Sequence, residues 1–120
     1  MSVLLKGAAD ELDVPCVAKV AMGSTSKIVD VKFVATFKKL SPNAFKEYVA
    51  DVAETEKADS DVIRENIIEI KDMRGSDGEF IEYSIELLDA MLDQREYAAA
   101  MLEGFMKVNT GRGAAQLKNL

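Results

Sequence analysis

The sequence feature that most constrains the fold is a change of hydrophobic period at Ser41 and Pro42. Before this point, the apolar residues Val29, Val31, Phe33, Ala35 and Phe37 alternate with the polar residues Asp30, Lys32, Thr36 and Lys38. A period of two over this length predicts a half-buried strand. After this point, Phe45, Tyr48, Val49 and Val52 recur at helical spacing and form one apolar stripe. The chain is therefore predicted to pass from β structure into helix.

A second strand is predicted upstream of the first. Residues 14–22 are rich in small and β-branched side chains, and the Gly-Ser-Thr-Ser sequence at 23–26 is typical of a turn. Two strands joined by a short loop predict an antiparallel β-hairpin, here from Val14 to Lys39. We predict that residues 1–13 form a flexible N-terminal arm with some helical character.

About four helices are predicted after the hairpin. Ser41 can cap the first helix, and Pro42 suits the first helical position because its missing N–H needs no partner there. A second helix is predicted to start at Asp59 or Ser60. The sequence Ile-Ile-Glu-Ile-Lys at 67–71 fits the end of this helix or a short strand.

The last two helices follow a turn at residues 74–78. Ser84 is predicted to cap the third helix, and Asp93 with Glu96 three residues later has the form of a capping box that restarts the chain as a fourth helix. Gly111 and Gly113 are expected to end it, leaving residues 111–120 as a flexible tail.

These elements predict a single α+β domain over residues 14–110. The chain length of 120 residues is typical of one domain with its own core. The residues expected in that core are Val31, Phe33, Phe37, Phe45, Val49, Ile63, Ile67, Leu88, Leu92 and Leu102.

Composition excludes several classes of function. The chain has one cysteine and no histidine, which rules out an intrachain disulfide and any catalysis through a histidine base. A net charge of −6 argues against binding to nucleic acid, since phosphate contacts need a basic face. No apolar run approaches the ~20 residues that cross a bilayer. We expect a cytoplasmic protein without metal, cofactor or catalytic residues.

Two groups of residues were weighed as chemical sites. The turn at Asp77 and Gly78 lacks the ligands of a calcium-binding loop, so an ordinary turn is favoured. The acidic pairs Glu65 with Glu69 and Glu82 with Glu86 are interleaved with core-type residues, which is typical of solvated helix faces rather than of a catalytic cleft.

Methionine is enriched in the C-terminal helices. The plainer interpretation is that these side chains pack in the core. The alternative is an adaptable apolar surface for a partner helix, because methionine repacks easily against varied shapes. This alternative predicts a partner-binding site at Met101, Phe105 and Met106.

The order of these elements resembles the tail assembly chaperones of long-tailed, siphovirus-type bacteriophages. The resemblance lies in the strand at 31–40, the helix start at Ser41 and Pro42, the Asp77-Gly78 turn, the entry through Tyr83 and Ser84 into a helix, and an alanine-rich helix that ends at Phe105. It covers residues 19–119. Many relatives carry a tryptophan near the middle of the chain, and this sequence has none.

The resemblance implies a non-enzymatic assembly protein. Members of the family bind the tape measure protein, a long helical polypeptide that sets tail length. They keep it soluble, help recruit tail tube subunits in the bacterial cytoplasm, and are absent from the mature virion. A longer product is commonly made by ribosomal frameshifting near the end of the shorter one. The codons for Leu117, Lys118 and Asn119 could hold the slippery run that this needs.

A partner-binding function also predicts weak self-association, because a small domain leaves apolar surface after it has packed. The competing hypothesis is an acidic regulator, either an adaptor or an inhibitor that mimics DNA, and the net charge of −6 suits it equally well.

Overall fold

The computed structural model describes residues 10–23 and 27–111. The expectations for residues 1–9 of the arm, for residues 24–26 of the turn and for the tail after residue 111 lie outside the described residues. The elements are β1 (Glu11–Ala21), β2 (Ile28–Lys38), α1 (Pro42–Thr55), α2 (Asp59–Asn66), β3 (Ile67–Lys71), α3 (Ile85–Leu92) and α4 (Arg95–Thr110). The predicted α+β class, an N-terminal hairpin followed by four helices, is confirmed.

The hairpin starts earlier than the sequence predicted. β1 pairs with β2 along its whole length, and Cys16 lies opposite Phe33 near its middle. Glu11 already pairs with Lys38, so residues 11–13 are part of the strand and the prediction of a flexible arm is wrong for them. The strand extends to Glu11 because β2 continues to Lys38 and offers it a partner.

Residues 67–71 form a strand, which decides between the two alternatives that the sequence allowed. β3 lies antiparallel to β2, so the sheet order is β1-β2-β3. α2 ends at Asn66 and β3 begins at the next residue, without a loop between them. The β-branched isoleucines at 67, 68 and 70 favour extended backbone once β2 is available as a partner.

The predicted serine caps are confirmed at two helices. The Ser41 hydroxyl accepts a hydrogen bond from the Ala44 N–H, and the Ser84 hydroxyl accepts one from the Leu87 N–H, both at 3.1 Å. The predicted capping box at Asp93 is wrong. Asp93 keeps helical backbone angles and ends α3, and Gln94 precedes α4 without a side-chain cap.

The core lies between one face of the sheet and the helices, with α4 packed across β1 and β2. Its buried apolar residues are Val14, Cys16, Ala18, Phe33, Ala35, Phe37, Val62, Ile63, Ile70, Met73, Leu88, Met91, Tyr97, Met101 and Phe105. The predicted core members Phe33, Phe37, Ile63 and Leu88 are among them. Val31, Phe45, Ile67, Leu92 and Leu102 pack against this core as half-buried residues.

Val49 is a wrong core prediction, because 44% of it is exposed. No residue of α1 is fully buried, so this helix packs only the narrow stripe formed by Phe45, Tyr48 and Val52. Val49 lies beside that stripe and faces away from the core.

The described part of the chain contains no helix with the length and apolar character to span a membrane.

Candidate partner-binding surface

The structure corrects the predicted site at Met101, Phe105 and Met106. Met101 is 0% exposed and Phe105 is 1% exposed, so neither side chain offers surface to a partner. Met106 is half-buried. The apolar stripe that suggested a partner groove is the stripe by which α4 packs on the sheet.

Phe105 lies at the centre of an aromatic cluster. Its ring centroid is 5.7 Å from that of Phe37, 6.0 Å from Phe45 and 6.1 Å from Tyr48. Phe37 belongs to β2, while Phe45 and Tyr48 belong to α1. Phe105 therefore joins the sheet, the first helix and the last helix, which is a structural role.

The fold leaves several large apolar side chains exposed, on the strands (Ile28 is 64% exposed) and in the segment after the hairpin turn at Gly78. The sequence analysis did not single out those in the second group. Phe80 and Ile85 are each 61% exposed, and Ile81 is 39% exposed. Their signal in the sequence is an interruption of an otherwise acidic segment by apolar residues. That signal is weak, because the same residues also fit a short extended piece followed by the core face of a helix.

Phe80 belongs to a small ordered hairpin over residues 73–81. The Gly75 N–H donates to the Glu79 carbonyl at 2.8 Å, and the Ile81 N–H donates to the Met73 carbonyl at 2.8 Å. Gly78 adopts a φ of +82°, which a residue with a side chain rarely adopts. These backbone bonds fix the conformation of the hairpin.

Arg74 holds the Phe80 side chain from one side. Its guanidinium carbon lies 3.9 Å from the centroid of the Phe80 ring, and its Nη1 donates to the Gly78 carbonyl at 2.6 Å. A guanidinium stacked on a ring gains cation–π attraction. The stack covers one face of the ring, and most of Phe80 remains exposed to solvent.

The segment between Arg74 and Arg95 carries charge of one sign only. Its acidic residues are Asp77, Glu79, Glu82, Glu86, Asp89 and Asp93, and it contains no lysine or arginine. All six carboxylates are on exposed residues. Asp89 forms an ion pair with Arg64 at 2.5 Å. We call Phe80, Ile85 and these six residues the acidic apolar surface.

A shallow groove of about 600 Å³ lies beside the hairpin. It is bounded by Ile81 on the hairpin and by Val31 on β2, with the buried Tyr97 among its lining residues. Ile81 thus faces a concave space, while Phe80, the next residue back along the chain, does not line it.

β1 is an edge strand of the sheet formed by the described residues, and this edge is less suited to binding. At the two ends of the hairpin, the Lys39 N–H donates to the Asp10 carbonyl and the Met22 N–H donates to the Lys27 carbonyl. With the register of the strands, these bonds show that the backbone N–H and C=O groups of even-numbered residues of β1 point toward β2. The N–H groups of odd-numbered residues therefore point away from β2. Pro15 occupies one of these positions and has no N–H to offer, which weakens pairing with a further strand.

The sequence predicted that the acidic pair Glu65 and Glu69 shares a helix face, which is wrong because Glu65 lies on α2 and Glu69 on β3. Glu65 instead forms a structural contact. Glu65 accepts hydrogen bonds from the Tyr48 hydroxyl at 2.7 Å and from the Lys57 ammonium at 2.9 Å, which links α1 to α2. The hydrogen bond from Lys57 is the main cause that lowers the pKa of Glu65, and the bond from Tyr48 adds to it. Burial is the main cause that raises the pKa of Tyr48 to about 12, and the bond to Glu65 adds to it. Glu65 is thus held ionised and Tyr48 protonated, which favours a stable link.

The described residues contain no group of three or more His, Cys, Asp or Glu side chains placed to hold a metal ion. Comparison of the chain with models of known protein families, with curated proteins and with solved structures finds no match.

Proposed function

We propose that this protein is a tail assembly chaperone of a long-tailed bacteriophage. In this proposal it acts in the cytoplasm of the bacterial host. It binds the tape measure protein, keeps it soluble and helps to recruit tail tube subunits around it. The chain makes and breaks no covalent bonds in this role.

The observation that supports the proposal is the order of the local structures that carry the resemblance. β2 ends at Lys38, Ser41 caps α1, the hairpin turns at Gly78, and Ser84 caps α3. These features occur in the sequence positions on which the resemblance to the chaperones was based. One feature differs: the final helix does not end at Phe105 but continues for five more residues to Thr110.

There is also a physical argument for a binding role. A long helical polypeptide that has not yet assembled exposes apolar stripes, and such surfaces aggregate. A small partner can mask them if it exposes apolar side chains itself and carries enough charge to keep the complex dispersed. This chain has a net charge of −6 and exposes Phe80 and Ile85.

The direct test is co-purification with a tape measure protein encoded beside the gene for this chain. We expect a tagged copy of this protein to retain the tape measure protein after co-expression in bacteria. An unrelated acidic protein of similar size, carrying the same tag, is the control. Equal recovery with both proteins, or no recovery with either, contradicts the proposal.

A frameshifted longer product is a separate part of the proposal, tested on the nucleotide sequence. We expect a slippery run of adenines at the codons for Lys118 and Asn119, and an open overlapping reading frame that continues past Leu120. A gene without that run and without that frame contradicts the assignment of this chain as the shorter of two products.

A further inference from the structure

We propose that the acidic apolar surface docks a helix of another protein whose apolar side chains are flanked by lysine and arginine. This inference rests on the proposed function as a binder of a helical polypeptide, and it assigns the binding surface and the partner chemistry. It replaces the site predicted at Met101 and Phe105, which are buried.

The apolar part of the surface has the properties of an interface anchor. Phe80 and Ile85 are among the most exposed large apolar side chains of the described chain, at 61% each. Burying a large apolar side chain at an interface removes it from water and so stabilises the complex. Binding energy at protein interfaces is concentrated in a few such residues.

The spacing of these two anchors suits a helix. Phe80 and Ile85 are five residues apart, so their Cα atoms are separated by at most about 17 Å. Three turns of an α-helix are about 16 Å long. One partner helix is therefore long enough to place apolar side chains against both residues.

The charge of the surface selects the flanks of the partner. The segment from 75 to 94 has six carboxylates. Arg64 pairs with Asp89 and Arg74 lies on the Phe80 ring, so the surface is acidic on balance rather than throughout. Opposite charges across an interface accelerate association and discriminate against wrong partners. Lysine and arginine beside the apolar stripe of the partner helix would face these carboxylates, whereas acidic residues there would be repelled.

The hairpin presents Phe80 in a fixed position. The backbone bonds of Gly75 and Ile81 and the stack of Arg74 on the ring are formed in the unbound domain. A side chain that is already ordered loses less conformational freedom when it binds. This pre-organisation distinguishes Phe80 from an apolar residue on a loose loop.

A second copy of the chain is a poor occupant of this surface. In a two-fold dimer the same patch meets itself. Each copy would then present six carboxylates against two arginines, Arg64 paired with Asp89 and Arg74 on the Phe80 ring, so acidic charge would still outweigh basic charge on both sides. Like charges placed opposite each other oppose association.

The test uses two synthetic amphipathic peptides of about 20 residues, long enough for more than three helical turns. One carries leucine flanked by lysine, and the other is identical except that glutamate replaces each lysine. Fluorescence anisotropy of each labelled peptide is followed as the full-length protein is added. We expect the lysine peptide to bind, the glutamate peptide not to bind, and the binding to weaken as salt is raised.

Matched variants locate the binding site. We expect Phe80→Ser and Ile85→Ser each to weaken binding of the lysine peptide at least about tenfold, as for an interface anchor. Val49→Ser is the control, because Val49 is also an exposed apolar residue, at 44%, but lies on α1. The double variant Glu82→Gln with Glu86→Gln tests how much the negative charge contributes to binding of the lysine peptide, without altering the apolar residues. Thermal melting of every variant checks that the fold is retained.

Each outcome decides a different point. Equal weakening by Val49→Ser, no weakening by Phe80→Ser, or equal binding of the two peptides overturns the inference. Self-association that is lost in Phe80→Ser also overturns it, because the occupant is then a second copy. If the tape measure protein co-purifies equally with wild type and with Phe80→Ser, the surface is wrong and the proposed function stands. If the lysine peptide binds through Phe80 but no tape measure protein is retained, the proposed function fails and the surface stands.

Discussion

Phe105→Ala is the substitution that most clearly separates a core residue from a surface residue. The side chain is 1% exposed and its ring lies within 6.1 Å, centroid to centroid, of three other aromatic rings. Truncation of a buried phenylalanine to alanine costs about 3–5 kcal/mol through lost burial and the cavity left behind. Lost ring–ring attraction contributes to this, so we expect a loss of about 4 kcal/mol.

That loss is large compared with the whole stability of a domain of this size, roughly 5–15 kcal/mol. It should lower the melting temperature by ~15 °C, at about 4 °C per kcal/mol. The assay is urea unfolding followed by far-UV circular dichroism, with the thermal melt as a second measurement. The urea concentration at the unfolding midpoint should fall, while the slope of the free energy of unfolding against urea concentration stays unchanged.

Met106→Ala is the matched control, since Met106 is adjacent in sequence and only half-buried. We expect it to cost less than half as much as Phe105→Ala. If Phe105→Ala lowers the free energy of unfolding by less than ~1 kcal/mol, the ring is not in the core. The reasoning that removed Phe105 from the partner-binding surface is then wrong.

Three further predictions follow from close contacts. In Gly104→Ala the new Cβ would lie 3.0 Å from Cys16 Sγ and from Val14 Cγ1, and overpacking of ~1–3 kcal/mol should outweigh the ~1 kcal/mol gain in helix propensity. A Gly104→Ala variant that unfolds at higher urea than wild type contradicts this packing. Burial raises the pKa of the Cys16 thiol to about 11. A thiol reagent near pH 8 should therefore label Cys16 only after unfolding. Rapid labelling of the folded protein contradicts the burial of this thiol. Lys57 lowers the pKa of Glu65 below its ordinary 4.5, so its contribution to stability is present above pH 4.5 and is lost as the pH falls through the lowered pKa. Urea midpoints measured against pH should fall less on acidification in Glu65→Gln than in wild type, and identical profiles exclude this contribution.

Local sequence signals predicted the elements that depend on local physics. The alternation through Phe33 and Phe37 gave the strand and its buried face, because a strand with one solvated face needs that period. Ser41 and Ser84 predicted the helix starts, because each hydroxyl accepts from the N–H of the residue three positions later and needs no tertiary partner.

Features that depend on distant residues were not predictable in the same way. The segment 67–71 has isoleucine at helical and at strand spacing, and only pairing with β2 makes it a strand. The start of β1 at Glu11 depends on Lys38 in the same manner. Both need a partner strand that local periodicity does not locate.

The candidate site failed for a related reason. Met101 and Phe105 lie one turn apart on α4, and an apolar stripe looks the same in sequence whether it covers the protein's own sheet or awaits a partner. In the fold, the sheet occupies it. The exposure of Phe80 depends on the hairpin over residues 73–81, which is formed by backbone hydrogen bonds and not by hydrophobic pattern, whereas Ile85 is exposed in the first turn of α3.

The central claim, that this protein keeps an unassembled helical partner soluble, is tested most directly by light scattering. A tape measure protein diluted from denaturant should scatter strongly alone and stay clear with a molar excess of this protein. Protection should be lost with a Phe80→Ser and Ile85→Ser double variant that melts like wild type, and retained with Val49→Ser. If wild-type protein leaves the scattering unchanged, the account of this chain as an assembly chaperone is contradicted.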